Sequence, residues 1–323
     1  MTKPSPRIVY MGTPDFAVEP LKMLLENEYN IVGVVTAPDK PAGRGKKISE
    51  SAVKQFAVSR GLKVLQPEKL KAPEFIKELQ SLDTDLQIVV AFRMLPEIVW
   101  SMPKMGTFNL HASLLPQYRG AAPINWAVIN GEEKTGVTTF FIEKEIDTGN
   151  ILLQKEIKIL TEDNAGTIHD KLMYSGAELV VETVKGILEN SIKPKHQDNL
   201  IDNSVELKPA PKIFKEDCKI DWNQPAQRIQ DFIRGLSPYP AAFFEVTDIQ
   251  NMKLNIKVFK TEIVPSPSPT QHSTIKTDNK TYIHIGCNNG YLNIIELQFP
   301  GKKRMKVEDF LRGYKDFGSL VLN

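Results

Sequence analysis

From Arg7 to Leu188 short apolar runs alternate with segments of helical periodicity, and this alternation leaves few architectures open. Arg7–Met11, Asn30–Thr36, Lys63–Leu65, Leu86–Phe92, Met105–His111, Gly136–Glu143 and Ile151–Leu160 read as strands. Between them Pro14–Glu26 places Phe16, Ala17, Leu21, Leu24 and Leu25 on one helical face. Ser49 is placed to cap a helix running through Arg60, and Gly61 to end it. Further helices are expected at Ala72–Leu82, from Ala122, and over Ala165–Leu188. Leu86–Phe92 is an apolar run interrupted only by Gln87, the type expected of a buried strand covered on both faces. The pattern predicts an α/β fold: a Rossmann-like, doubly wound, mostly parallel sheet.

The grammar then changes. Asn190–Pro211 is polar and proline-containing, the composition of a linker. One helix follows at Ala226–Arg234, and after it come short β-prone runs at Ala242–Val246, Leu254–Val264, Thr281–Ile285 and Tyr291–Leu297. These predict a small, OB-like β-barrel. The expected organisation is a domain of residues 1–189, a linker at 190–211 and a second domain at 212–323. The net charge of +2 hides an asymmetry. From Lys208 onward there are 17 Lys and Arg against 12 Asp and Glu, so the second half is basic and the first mildly acidic. That suits either a polyanionic partner or a solvated lysine-rich surface.

Several classes are disfavoured. No run of 18 apolar residues exists, so no transmembrane helix is expected. Met1–Arg7 leads directly into the first strand, without the layout of a signal or transit peptide. Cys218 and Cys287 are too few for a disulfide framework, and the five histidines lack metal-ligand spacing. A cytoplasmic protein without a structural metal is expected. The first strand ends in Gly12-Thr-Pro-Asp, but a dinucleotide fingerprint needs three glycines, and Asp39 lies in a Pro/Gly loop instead of at a strand end.

Asn109 and His111 interrupt an otherwise apolar strand two residues apart, on one face. At the carboxyl end of a parallel strand they lie where open α/β sheets place ligands. An Asn amide can donate to a developing oxyanion, His can act as acid, base or charged donor, and an Asp beside it would orient it. Asp147, in Ile146-Asp-Thr-Gly between two predicted strands, is the candidate. No Ser or Cys nucleophile stands in a recognisable elbow, which suits acyl transfer to a nucleophile the substrate brings. The same residues also admit a purely structural reading: Asn109 caps a loop, His111 is a hydrogen-bonded core histidine, and Asp147 makes a turn.

Asn109-x-His111, followed by Ser113-Leu-Leu-Pro-x-Tyr-Arg-Gly120 and then Asp147-Thr-Gly, closely resembles the 10-formyltetrahydrofolate-dependent formyltransferases. The resemblance implies that Asn109, His111 and Asp147 are the catalytic trio. It also implies that Ser113, Leu114, Leu115 and Pro116, with Phe92 at the end of the neighbouring strand, lie against the folate. 10-Formyltetrahydrofolate is then the co-substrate, with no metal. Where the family often has Ala-Tyr-Gly, this chain has Ala91-Phe92-Arg93. Arg93 is either a cation at the folate edge or a surface arginine on the rim. The segment Ala37–Lys47 carries Lys40, Arg44, Lys46 and Lys47, and Gly43 and Gly45 flank Arg44. It resembles the insertion loop with which tRNA-formylating members grip the acceptor end. Lys219-Ile-Asp-Trp222 and Arg234–Pro240 resemble the start of their OB-like, tRNA-binding C-terminal domain. The resemblance therefore implies a monomer that formylates the α-amine of methionyl initiator tRNA for translation initiation. A sugar-nucleotide N-formyltransferase is the alternative, and a non-catalytic RNA-binding protein on a decayed α/β domain is another.

Overall fold

The computed structural model describes residues 5–42, 47–201, 204–266 and 273–322 of the 323-residue chain. Contacts divide it into two compact units. The first comprises Met1–Gly120, Thr135–Ile157 and His169–Pro209, the second Ala121–Lys134, Lys158–Ile168 and Ala210–Asn323. The division is thus not a single cut at 190–211. Most of that polar segment belongs with the first unit, because its backbone bonds to loops there.

The first unit is built on β1 (Ile8–Gly12), α1 (Val18–Glu26), β2 (Ile31–Val35), β3 (Lys40–Ala42), β4 (Lys47–Ser49), α2 (Ala52–Ser59), β5 (Val64–Leu65), α3 (Pro73–Ser81), β6 (Leu86–Val90), α4 (Glu97–Trp100) and β7 (Thr107–His111). After α5 (Pro123–Ile129), which belongs to the second unit, come β8 (Lys134–Phe141), β9 (Ile151–Lys158) and α6 (Ala165–Leu188). The sheet order is β5-β2-β1-β6-β7-β8-β9. Strands β5, β2, β1, β6 and β7 run parallel, and β8 is antiparallel to β7. Every residue of β1 and β6 is buried, which explains sequences that are apolar except at Gln87, whose Oε1 accepts from Thr107 Oγ1 at 3.1 Å. Strand order reverses between β1 and β6, and open sheets form their ligand crevice at the carboxyl ends beside such a switch.

Two local expectations change. The segment before α2 is a two-stranded ribbon, with Lys40 opposite Ser49 and Ala42 opposite Lys47. Ser49 is therefore engaged in β4. Ser51 caps α2 instead, its Oγ accepting from the Lys54 amide at 3.0 Å. Gly61 ends that turn at φ +66°, as expected of a left-handed glycine.

The second unit adds α7 (Ala226–Leu236), β10 (Ala242–Thr247), β11 (Lys253–Pro265), β12 (Ile275–Thr277), β13 (Ile283–Cys287), β14 (Gly290–Gln298), β15 (Met305–Lys306), α8 (Val307–Gly313) and β16 (Val321–Leu322). Its antiparallel sheet runs β12-β13-β14-β11-β10-β16, with β15 on β14, and is barrel-like. The register of β11 against β14 shifts on either side of Lys260. Such a bulge bends a long strand and lets it serve two parts of a curved sheet. Trp222, Phe244, Phe310 and Phe317 fill the core. Helix α8 was not expected. Its apolar face is only Val307, Phe310 and Leu311, too short a period to be distinguished from a strand by pattern alone.

Candidate active site

Strand β7 ends the parallel run, with β6 parallel on one side and β8 antiparallel on the other. Phe108 and Leu110 face the core, so Asn109 and His111 share the opposite face. Asn109 is half-buried, and among the described residues its carboxamide makes no hydrogen bond to the protein. His111 is 6% exposed. Its Nε2 lies 2.9 Å from the Tyr118 carbonyl, which can only accept, so Nε2 carries a proton. Its Nδ1 faces Asp147 Oδ2 at 3.9 Å. That gap is too long for a hydrogen bond, and among the described residues Nδ1 makes no hydrogen bond to the protein.

Asp147 is held from two sides. Its Oδ2 accepts the Gly120 amide at 2.9 Å, and its own carbonyl accepts from Gln197 Nε2 at 2.9 Å. Its backbone is left-handed, φ +55°, a conformation that Asp and Asn tolerate better than most residues. Two residues on, a Cβ at Gly149 would stand 1.8 Å from the Phe141 carbonyl oxygen. Only glycine lets this turn lie directly on the end of β8.

The Ser113–Pro116 stretch is a brace. Thr138 Oγ1 donates to the Ser113 carbonyl at 2.7 Å and accepts the Leu115 amide at 3.1 Å, while Gln154 Nε2 donates to the Leu115 carbonyl at 2.9 Å. Ser113 Oγ donates to the Gln117 carbonyl at 2.7 Å. These bonds fix the path that brings the Tyr118 carbonyl to His111. Leu114 is half-buried, whereas Ser113, Leu115 and Pro116 are buried. Phe92 is half-buried at the end of β6, and the Arg93 guanidinium lies 5.6 Å over its ring. That guanidinium also donates to the carbonyls of Pro67 and Glu68, so Arg93 is tied to a neighbouring loop.

The basic segment is the β3–β4 ribbon. Lys40 is exposed on β3 and Lys47 lies on β4, while Arg44 and Lys46 lie outside the described residues. The base of the ribbon is clamped. Asp39 accepts from Lys54 Nζ and, at 2.7 Å, from Gln66 Nε2, and Lys54 also pairs with Glu50 at 2.9 Å. The Lys54 hydrogen bond, helped by Gln66, holds the Asp39 carboxyl below the ordinary carboxylate range. In the second unit a cleft of about 510 Å³ is lined by Lys212, Lys215, Lys257, Asn125, Asn255 and Tyr239 among others, with no acidic side chain. No group of three or more His, Cys, Asp or Glu able to hold a metal occurs among the described residues. Among the same residues no helix is long and apolar enough to cross a membrane.

Residues 6–184 match the family model described as formyl transferase, and residues 212–315 match that of the formyl transferase C-terminal domain. The chain belongs to the formyl transferase family. A methionyl-tRNA formyltransferase of Phocaeicola vulgatus is 60% identical over 316 residues, covering 98% of each chain. Among solved structures, the sugar 3N-formyl transferase WlaRD superposes with a TM-score of 0.63 at 21% identity, over 93% of this chain and 100% of that one. HypX from Aquifex aeolicus, solved with tetrahydrofolic acid, gives 0.60 at 18% identity. This formyl transferase covers 95% of its own length in that match and 47% of HypX. At such identities the two structures speak for the fold. The residue that sequence reasoning missed is Gln197. It sits in the segment read as a linker, is fully buried, and carries no periodic or motif signal.

Proposed function

We propose that this formyl transferase moves the formyl group of 10-formyltetrahydrofolate to the α-amine of methionine esterified to initiator tRNA. The observation that carries the chemistry is that, among the described residues, the Asn109 carboxamide has no partner and shares a strand face with an imidazole whose Nδ1 makes no hydrogen bond and stands beside a carboxylate. The acceptor follows from the 60% identity to a methionyl-tRNA formyltransferase over nearly the whole chain. The sugar-nucleotide alternative has only fold-level support.

The amine nitrogen attacks the formyl carbon, and the carbonyl oxygen becomes an oxyanion. Asn109 donates its amide N–H to that oxygen. His111, doubly protonated, donates to Tyr118 through Nε2 and offers its Nδ1 proton first to the oxyanion and then to N10 as the C–N10 bond breaks. Asp147 offsets the imidazolium charge and takes up the proton the attacking ammonium loses, through a water molecule. Folate lies in the crevice at the carboxyl ends of β6 and β7, with the half-buried Phe92 and the Ser113–Pro116 brace as its walls. The β3–β4 ribbon, carrying Lys40, Arg44, Lys46 and Lys47, meets the end of the acceptor stem. Residues 212–323 contribute the basic RNA-binding surface, in which the Lys212, Lys215 and Lys257 cleft accepts phosphate. The protein acts in the cytoplasm as a monomer.

The test is incubation with 10-formyltetrahydrofolate and, in parallel, initiator methionyl-tRNA, elongator methionyl-tRNA and an amino-sugar nucleotide. Formyl-methionine released from initiator tRNA is the expected product. Formylation of the sugar nucleotide with tRNA untouched would overturn the reading.

A further inference from the structure

We infer that Gln197 is a positioning residue for the formyl transfer, locking together the two loops that hold His111. This rests on the function proposed above. The Gln197 side chain is fully buried and uses its entire hydrogen-bonding capacity. Nε2 donates to the carbonyls of Asp147 and Gly149, both at 2.9 Å. Oε1 accepts from Arg119 Nε at 3.1 Å and from Arg119 Nη2 at 2.7 Å. The orientation of the carboxamide is forced. Turned over, it would set an oxygen against two carbonyls and an amine against a guanidinium.

These bonds close a ring. Arg119 is bonded through the chain to Gly120, whose amide donates to Asp147 Oδ2, and the Asp147 carbonyl returns to Gln197. One loop carries the Tyr118 carbonyl that holds His111 Nε2, and the other carries the carboxylate facing Nδ1. Neither contact involves Gln197 directly, yet both partners of the imidazole are set relative to each other through it. The surrounding segment is anchored in the same way. Lys195 and Ile151 exchange backbone hydrogen bonds at 2.8 Å, the Lys208 carbonyl accepts the Tyr118 amide at 2.7 Å, and the Lys208 amide donates to Gln117 Oε1 at 2.8 Å. Asp147 is in a left-handed conformation and leans on Gly149, so this loop has little intrinsic preference for its shape and depends on outside bonds.

Two substitutions separate positioning from filling. Gln197→Glu keeps the acceptor for Arg119 but sets a carboxylate oxygen against two carbonyls. Gln197→Asn keeps a carboxamide in the cavity but one methylene short. Both should lower kcat about tenfold to a hundredfold, the scale of a small misplacement of catalytic groups, with KM for folate and tRNA changed less than about threefold. In an Asp147→Asn background either substitution should cost less than it does alone, because placing the Asp147 carboxylate is one of the two things Gln197 does. Hydrogen exchange at the Gly120 amide should quicken at least about tenfold in both single variants, a readout independent of activity. Full multiplication of the losses in the double variants, wild-type kcat in Gln197→Glu, or unchanged Gly120 exchange would overturn the inference. Should wild type transfer no formyl group, the proposed function fails, and Gly120 exchange alone decides whether Gln197 holds Asp147.

Discussion

Replacing Asp147 by Asn removes one charge from the site and little else. Asn tolerates the left-handed backbone at φ +55°, so no strain is added. Its side-chain oxygen still accepts the Gly120 amide now held at 2.9 Å. What disappears is the attraction between carboxylate and imidazolium across 3.9 Å. The two side chains are 16% and 7% exposed, so the pair is shielded from solvent. At an effective dielectric constant of about 20 the pair is worth about 4 kcal/mol. At 1.4 kcal/mol per factor of ten, that sets a ceiling of roughly a thousandfold on the rate. The Asn dipole restores part of it, so kcat should fall by about 10² to 10³ with KM nearly unchanged. Single-turnover formylation of methionyl-tRNA at saturating folate measures this, with the melting temperature as the check on folding. A loss below tenfold, in a variant that melts like wild type, would refute the charge-based role of Asp147.

Asn109→Ala should cost about 10² to 10³ in kcat without destabilising the protein, because the lost carboxamide has no partner among the described residues. Normal turnover by that variant would remove Asn109 from the mechanism. At the ribbon base, Asp39 titrates below its unfolded value, so its pairing with Lys54 contributes stability above the unfolded value and loses it as pH falls through the folded one. The difference in melting temperature between wild type and Asp39→Asn should therefore stay flat from about pH 5 to 8 and close below about pH 4. A gap that persists in acid would mean the pair is not what anchors the ribbon. Affinity for tRNA should fall by about 0.7 log unit per log unit of salt for each single-strand phosphate neutralised. Neutralising the exposed Lys302 and Lys303 should weaken initiator and elongator tRNA alike, as paired binding titrations at two salt concentrations would reveal. A selective loss for initiator tRNA would make these lysines readers of identity.

The strands β1 and β6 were legible because burial on both faces favours a run of mostly apolar residues, a one-dimensional signal that the single Gln87 in β6 does not hide. Helix α6 was legible at Ala165–Leu188 because its length leaves the period unambiguous. Short elements were not. The β3–β4 ribbon looked like a loop, since three-residue strands with Pro41 and flanking glycines carry no alternation. The cap of α2 was displaced from Ser49 to Ser51, because two serines in one stretch are equivalent until pairing engages one of them.

Sequence alone determined the α/β grammar, the basic second half, and the presence of Asn109, His111 and Asp147 in a pattern resembling a formyl-transferring site. Local periodicity and motif spacing are properties of the chain, and they survive without coordinates. Tertiary structure alone decided which atom faces which. It set His111 Nε2 on the Tyr118 carbonyl, left Nδ1 uncommitted before Asp147, and turned Gln197 from a linker residue into the joint between two loops. Gln197 lies 50 residues from Asp147 and 78 from Arg119, so no pattern along the chain links them. Only closure of the fold, which brings unsatisfied buried carbonyls and a guanidinium to one carboxamide, creates the contact and makes it costly to lose.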